Sequence, residues 1–480
     1  MYLPFWVGGP DVRLNAHPRT DFVLGIVRTT FVARFVSRLH GAEPSPCGMW
    51  GYRGDFMSKS ASAAPEQDFA RDIVPDEATG PARQVFYIVA GSCSGLTVFI
   101  LASEVAHGLG LLRALWAFIA GSLISGVLGA ISVYVGSRTR LSFALLVRHT
   151  FGAWGAQAVR LVVALSLIGW FAVIVSQLGA AASELVRHML GWDVAAPCIS
   201  IPLSFLITLV VLKGVSGLER LGQVVVVLTV VLLLVGVAMT WHALGPAGLD
   251  HGSGSLTFGE AVSAVVGSYI VGIVIQPDYG RFVRSPSRAA LAVLWALGLV
   301  YPISLFLSAV PAAALNQPDF SVALISMGIG LPALLLLFLG AWMGAAACLY
   351  SGSLSLANLL PRLKMNWVVV GAGSLGALLA LLHIDRHFMP FLQLLSVTLP
   401  PVATVQCFDV LWAGRHGSVW NRSSLETGVS ITAWIVGSAI GLGGEHHVFE
   451  ATGIATLDAI LGTLMAMGIG RLLVRRGSND

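Results

Sequence analysis

Charge is scarce in this chain. Its 480 residues hold 28 lysines and arginines and 24 aspartates and glutamates, 11% of the total, less than half the share usual in a soluble globular protein. Much of that charge crowds into residues 1–83, which carry nine basic and nine acidic side chains. Residues 84–480 could not clothe a water-facing surface with what is left. A soluble enzyme, a nucleic-acid binder and a disordered chain are excluded on this ground. Cysteine is sparse too. Cys47, Cys93, Cys198, Cys348 and Cys407 stand far apart, with no CxxC or Cys/His spacing that would hold zinc, and read as small apolar side chains. No HExxH, no GxSxG and no facing pair of aspartates occurs in the apolar segments, so no intramembrane enzyme, catalytic residue, metal or cofactor is expected. A channel is disfavoured as well.

Apolar residues are abundant, at 56%. A bilayer core about 30 Å thick calls for about 20 of them per helix. Twelve runs qualify, near 85–107, 114–135, 158–183, 195–212, 221–243, 260–276, 289–313, 330–356, 366–382, 388–412, 428–443 and 452–473. The gaps on one side hold Arg138, Arg140, Arg148, Lys213, Arg220, Arg281, Arg284, Arg288, Arg362, Lys364, Arg415, Arg422, Arg475 and Arg476. Those on the other hold Arg113, Arg187 and Arg386. Basic residues stay inside, so both termini are expected in the cytoplasm of a multi-pass cell-membrane protein. Residues 1–83 read as a polar cytoplasmic tail, and 474–480 as a second. Within the first, 21–40 is basic and partly amphipathic, able to lie on a membrane surface. A disordered tail, or a native start at Met57 that leaves 1–56 outside the protein, is the plainer reading.

Two spans carry glycine and serine where a helix should be continuous. The first contains Gly91-Ser92-Cys93-Ser94-Gly95. The sixth contains Gly267-Ser268-Tyr269 and Gly272, then stops at Gln276-Pro277. If five spans are followed by another five, both segments open their halves, 84–243 and 260–412, with 428–473 adding two spans. Interrupted helices in matching places point to a transporter's binding site. Close helix packing is the competing explanation. The tenth span is interrupted at Leu399-Pro400-Pro401.

These residues resemble the nucleobase:cation symporter-1 family, the purine–cytosine permeases. Ile168-Gly169-Trp170-Phe171 resembles its third span. Val265-Val266-Gly267-Ser268-Tyr269-Ile270 and Asp278-Tyr279-Gly280-Arg281-Phe282 resemble its sixth span and the turn beyond. Leu349-Tyr350-Ser351-Gly352 with Leu356-Ala357-Asn358, and Leu395-Ser396 with Leu399-Pro400-Pro401, resemble the eighth and tenth. The ordered match covers about 84–412. It implies an all-α leucine-transporter-type fold, two inverted five-helix repeats plus two C-terminal helices. It also implies uptake of a flat heterocycle of the cytosine, purine, hydantoin or allantoin class, held between aromatics matching Trp170 and Tyr269. An amino-acid or organic-cation permease of the same fold is the alternative.

A flat, uncharged ring has faces that stack on aromatics, worth roughly 1–3 kcal/mol per base, and edges that need hydrogen bonds. Ser268, the backbone near Gly267, and Gln177, seven residues after Trp170 and so on nearly the same helix face, are candidates for those edges. Ser166 is a weaker one. In sodium-coupled members of the family the ion lies between first-span carbonyls and eighth-span hydroxyls or amides. The matching Trp342–Cys348 segment has no side-chain oxygen, the nearest hydroxyls being Tyr350 and Ser351, whereas a hard cation needs several oxygen ligands. Uptake is therefore expected to be sodium-independent, with a proton as coupling cation or with none. Ionisable groups inside the membrane are costly and suspect. Glu104, late in the first span, is the proton candidate; an outer-interface residue that is hydrated or paired with Arg113 is the competing explanation. Asp278 is expected to pair with Arg281 or Arg284 at a cytoplasmic gate.

Overall fold

The computed structural model describes residues 73–93, 95–213, 218–241, 252–317, 319–357, 359–360, 362–416 and 423–477, with the backbone path alone for 218–226, 413–416 and 476–477. The readings of 21–40 as a surface helix and of Met57 as a start lie outside them. The described chain is helical, and its one β-type pairing is an isolated bridge between Gly80 and Val283.

The first apolar segment makes two helices, α1 (Arg83–Ser92) and α2 (Leu96–Leu109), which meet at a bend of 56°. The break read from Gly91–Gly95 is there. After α3 (Leu111–Thr139) comes α4 (Phe143–Leu190), which begins well before the 158 that apolarity suggests. Its opening residues form a separate arm, because Gly152 sits at φ +68°, a region closed to most side chains. Then follow α5 (Ala196–Lys213), α6 (Leu218–Thr240) and α7 (Phe258–Ile275). A single turn, Pro277–Gly280, leads on to α8 (Pro286–Trp295). A π-helical stretch, Ala296–Val300, joins α8 to α9 (Tyr301–Leu315). The short α10 (Phe320–Ser326) precedes α11 (Gly330–Ala357) and α12 (Met365–Leu381). The tenth span is α13 (Phe388–Thr398) and α14 (Pro400–His416); the interruption expected at Leu399-Pro400-Pro401 is slight, since Leu399 keeps helical φ/ψ and the two helices form one apolar stretch. Two further helices, α15 (Ser424–Glu445) and α16 (Ala455–Gly477), close the chain.

Among the described residues, nine helical stretches are long and apolar enough to cross a membrane, or ten with α1 and α2 counted as one bent span. Val227–Thr240 and Met365–Leu381 are shorter apolar helices, and together these match the twelve runs.

The sixth span departs from expectation. α7 runs unbroken through Gly267–Gly272 and stops only at Ile275. The reason is steric. A Cβ on Gly267 would lie 2.1 Å from the Leu392 carbonyl of α13, so this glycine lets two helices touch rather than unwinding its own. Gly272 leaves room for the Tyr269 ring in the same way.

Packing sorts the helices into two groups. α3 packs on α7 and α8, α9 on α2, and α8 on α1. Separately, α4 packs on α11, α5 and α12, and α12 on α5 and α11. The first group is spans one, two, six and seven; the second is spans three, four, eight and nine. Each draws equivalent members from both halves, as two five-helix repeats require, and the arrangement is the leucine-transporter type. α15 and α16 pair closely, Gly437 facing Thr463 and Gly441 facing Ala459, and α16 docks on α14.

Candidate substrate site

Trp170 sits in the middle of α4, buried. Its indole meets the edges of two α13 rings, Phe388 (6.2 Å between centroids, 79°) and Phe391 (5.5 Å, 74°). Gly169 lies under Phe391, with only 2.9 Å left for a Cβ. One turn further, Leu392 offers its carbonyl to Gly267 of α7. Residues 388, 391 and 392 share one helix face, so a single stripe of α13 bridges the third span to the sixth. None of the three was picked out from sequence. Their i, i+3, i+4 spacing was the available signal, but it does not reveal which distant helices the stripe touches.

On α7, the Tyr269 ring lies 6.3 Å from that of Tyr301, tilted 51°. Ser268 donates to the Val265 carbonyl (2.7 Å) and is hydrogen-bonded with the Tyr301 hydroxyl. Cys93, at the break of the first span, is an electrostatic neighbour of both phenols. Tyr301, fully buried, was also missed: it reads as one more apolar-span aromatic. Gln177 is 5% exposed, and its Oε1 has no hydrogen-bond partner among the described residues. Ser166 is turned to its own helix, donating to the Val162 carbonyl at 2.7 Å.

Glu104, half-buried on α2, has as its charged neighbour Asp319, whose Oδ1 accepts the Ser321 N–H at the start of α10 (2.7 Å). Its proposed pairing with Arg113 is not made. Asp278 does something sequence did not suggest: its Oδ1 accepts the Phe143 N–H (2.7 Å), capping α4, where a carboxylate offsets the unpaired N–H groups and the helix dipole. Arg281 donates from Nε to the Asp278 carbonyl (3.3 Å), and its guanidinium lies 4.7 Å from the centre of the Phe282 ring. The neighbouring backbone is tied down. Gly80 N–H donates to Phe282 O (2.7 Å), Arg284 N–H to Gly80 O (3.1 Å), and Arg140 reaches Val283 O (2.9 Å) and Asp76 (3.2 Å).

On α11, Trp342–Cys348 presents no side-chain oxygen. Tyr350 is 37% exposed, and the first fully buried hydroxyl is Ser353, without a partner. These residues do not fit a sodium ion. No group of three His, Cys, Asp or Glu able to hold a metal occurs among the described residues.

A buried charge network sits elsewhere. Arg471 of α16 is paired with Asp409 of α14 and with Glu426 of α15 (2.8 Å), and Thr150 of the α4 arm donates to Asp409 (3.1 Å). Asp409 is conspicuous in the sequence; Arg471 is not, being a lone cation within an apolar run.

The profile of the family described as "Permease for cytosine/purines, uracil, thiamine, allantoin" matches residues 73–462. The chain belongs to this permease family. The cytosine permease of Escherichia coli (strain K12) is 27% identical over 402 residues, 83% of this chain and 92% of that protein. The cytosine permease of Escherichia coli O157:H7 is 27% identical over 403 residues, with the same coverage. Among solved structures, the inward-facing conformation of Mhp1 gives a TM-score of 0.71 at 17% identity, over 88% of this chain and 96% of that one. Mhp1 in a closed conformation with bromovinylhydantoin bound, described as a nucleobase-cation-symport-1 family transporter, gives 0.66 at 16%, over 87% and 95%. Those two likenesses are likenesses of fold. The family resemblance read from the motifs is thus borne out, and the family is one of transporters, not enzymes. This permease is a multi-pass membrane protein.

Proposed function

We propose that this permease imports a nucleobase or related flat heterocycle across the cell membrane, with both termini in the cytoplasm, and holds it between Trp170 and Tyr269. The observation that carries this reading is the unpartnered Gln177 Oε1, on the helix face of a buried tryptophan. An acceptor left bare in an apolar interior is costly, about 1–3 kcal/mol, and an N–H on the edge of a heterocycle would relieve it. Ser268 and Tyr301 supply hydroxyls beside the Tyr269 face. The family description and the cytosine permease relatives favour a cargo of this class. Uptake proceeds without sodium, since α11 offers no ligand set for it, and is driven by a proton or by the cargo gradient. Glu104 is the proton carrier under this reading, and the Asp278–Arg281 turn belongs to the cytoplasmic gate.

Competition tests the cargo class. Radiolabelled cytosine bound to the reconstituted permease should be displaced by purines or hydantoins and not by amino acids. Trp170→Ala and Tyr269→Ala should each weaken that binding roughly tenfold or more, from the lost stacking. Unchanged affinity in the double variant would sink the sandwich.

A further inference from the structure

A groove of about 460 Å³ opens between α1 and α8 on the outer surface of the helices. One wall is a stripe of Leu291 and Trp295 on α8 and Leu299 in the π-helical stretch, exposed at 54%, 54% and 45%, and Phe86 of α1 faces it. Arg288, in the first turn of α8, stands at one end, and the π-helical stretch lies at the other. The two flanking helices carry Arg83 and Arg288 and not one carboxylate. Arg284, exposed, comes just before α8.

The dimensions are those of a lipid tail. From Arg288 to Leu299 the helix rises about 16 Å, half of an apolar core about 30 Å thick, which is the depth of one leaflet. Leucine, tryptophan and phenylalanine walls suit an acyl chain. A guanidinium at the mouth suits a phosphate, which it binds by paired N–H donors. Without an acidic residue on either helix, the field there favours a headgroup with net negative charge over one whose phosphate is cancelled by a quaternary ammonium.

We infer that the groove between α1 and α8 binds an anionic phospholipid, its acyl chain along Leu291, Trp295 and Leu299 and its phosphate on Arg288. The site is independent of the cargo. It bears on transport because α1 is the first half of the bent span, and α8 with its π-helical extension is a main support of α1. A lipid seated there buttresses that half-helix.

Native mass spectrometry of the full-length permease, equilibrated with phosphatidylglycerol or phosphatidylcholine, tests this. The wild type should retain one phosphatidylglycerol with about fivefold preference, the effect of one cation near a charged headgroup. Arg288→Ala should abolish the preference and Arg288→Lys keep most of it. Ala292→Trp, which fills the groove beside Leu291, should lose the bound lipid of either kind while Arg288 is intact. Equal retention of the two lipids by the wild type overturns the inference, as does an undiminished preference in Arg288→Ala or bound lipid surviving Ala292→Trp. A crosslink formed by Trp295→Cys to a second copy of the chain would show the groove covered by protein, and would overturn it too. If Arg288→Ala unfolds early in a melting assay, the Lys and Trp variants decide.

Discussion

At the scale of single residues, Gln177 is the sharpest probe. A glutamine that ties helices together and one that waits for cargo behave oppositely when made apolar. Gln177→Leu removes an acceptor with no partner, so the melting temperature should hold or rise while cargo affinity falls about tenfold. A drop in stability with affinity intact would assign it to helix packing. A second prediction concerns His447, just past the end of α15. Its hydrogen bond to Glu450, then that group's charge, raise it above the usual imidazole range. The folded value being raised, this contact stabilises fully below about pH 6.5 and fades as pH climbs through the folded value. Melting temperatures should therefore slip slightly as pH rises from 6.5 upward, and His447→Gln should flatten that slope. Both side chains are solvent-facing, so the effect is small. Trp170 and Tyr269 could be singled out by their match to the family's third- and sixth-span motifs, and Ser268 and Gln177 by their places beside them. Tyr301, Phe388 and Phe391 could not, since each gains meaning only from neighbours far away in the chain.

At the scale of elements, the network of Asp409, Arg471 and Glu426 binds three helices where water is largely excluded. Removing one partner of a buried pair leaves the other charge stranded, at about 3–5 kcal/mol. Arg471→Met should therefore lower the melting temperature sharply. Arg471→Met with Asp409→Leu should recover much of the loss. A thermal-unfolding double-mutant cycle with no coupling between positions 409 and 471 would show that the pair contributes nothing beyond shape. Helix positions were largely legible, because length and apolarity are local properties and each span announces itself. Breaks were less so. Gly91–Gly95 does interrupt the first span, while Leu399-Pro400 barely disturbs the tenth and Gly267–Gly272 leaves the sixth intact. Glycine permits both unwinding and close approach, and only the Leu392 carbonyl above Gly267 decides between them. The start of α4 was missed because its arm, ahead of Gly152, contains Arg148 and His149 and so looks like a loop.

At the scale of the whole molecule, the driving force is open to a direct test. With no side-chain oxygen along Trp342–Cys348, uptake into proteoliposomes should change by less than about twofold when choline replaces sodium, whereas sodium coupling would show as a tenfold loss or more. With an inward proton gradient, Glu104→Gln should lose gradient-driven accumulation and keep cargo exchange; accumulation that survives would clear Glu104 of the coupling role. The stripe of Phe388, Phe391 and Leu392 has a broader consequence. It touches the third span and the sixth at once, and its helix runs on past Leu399 into α14 as one apolar stretch, which Arg471 pins through Asp409. A single substitution in that stripe should therefore disturb two spans together.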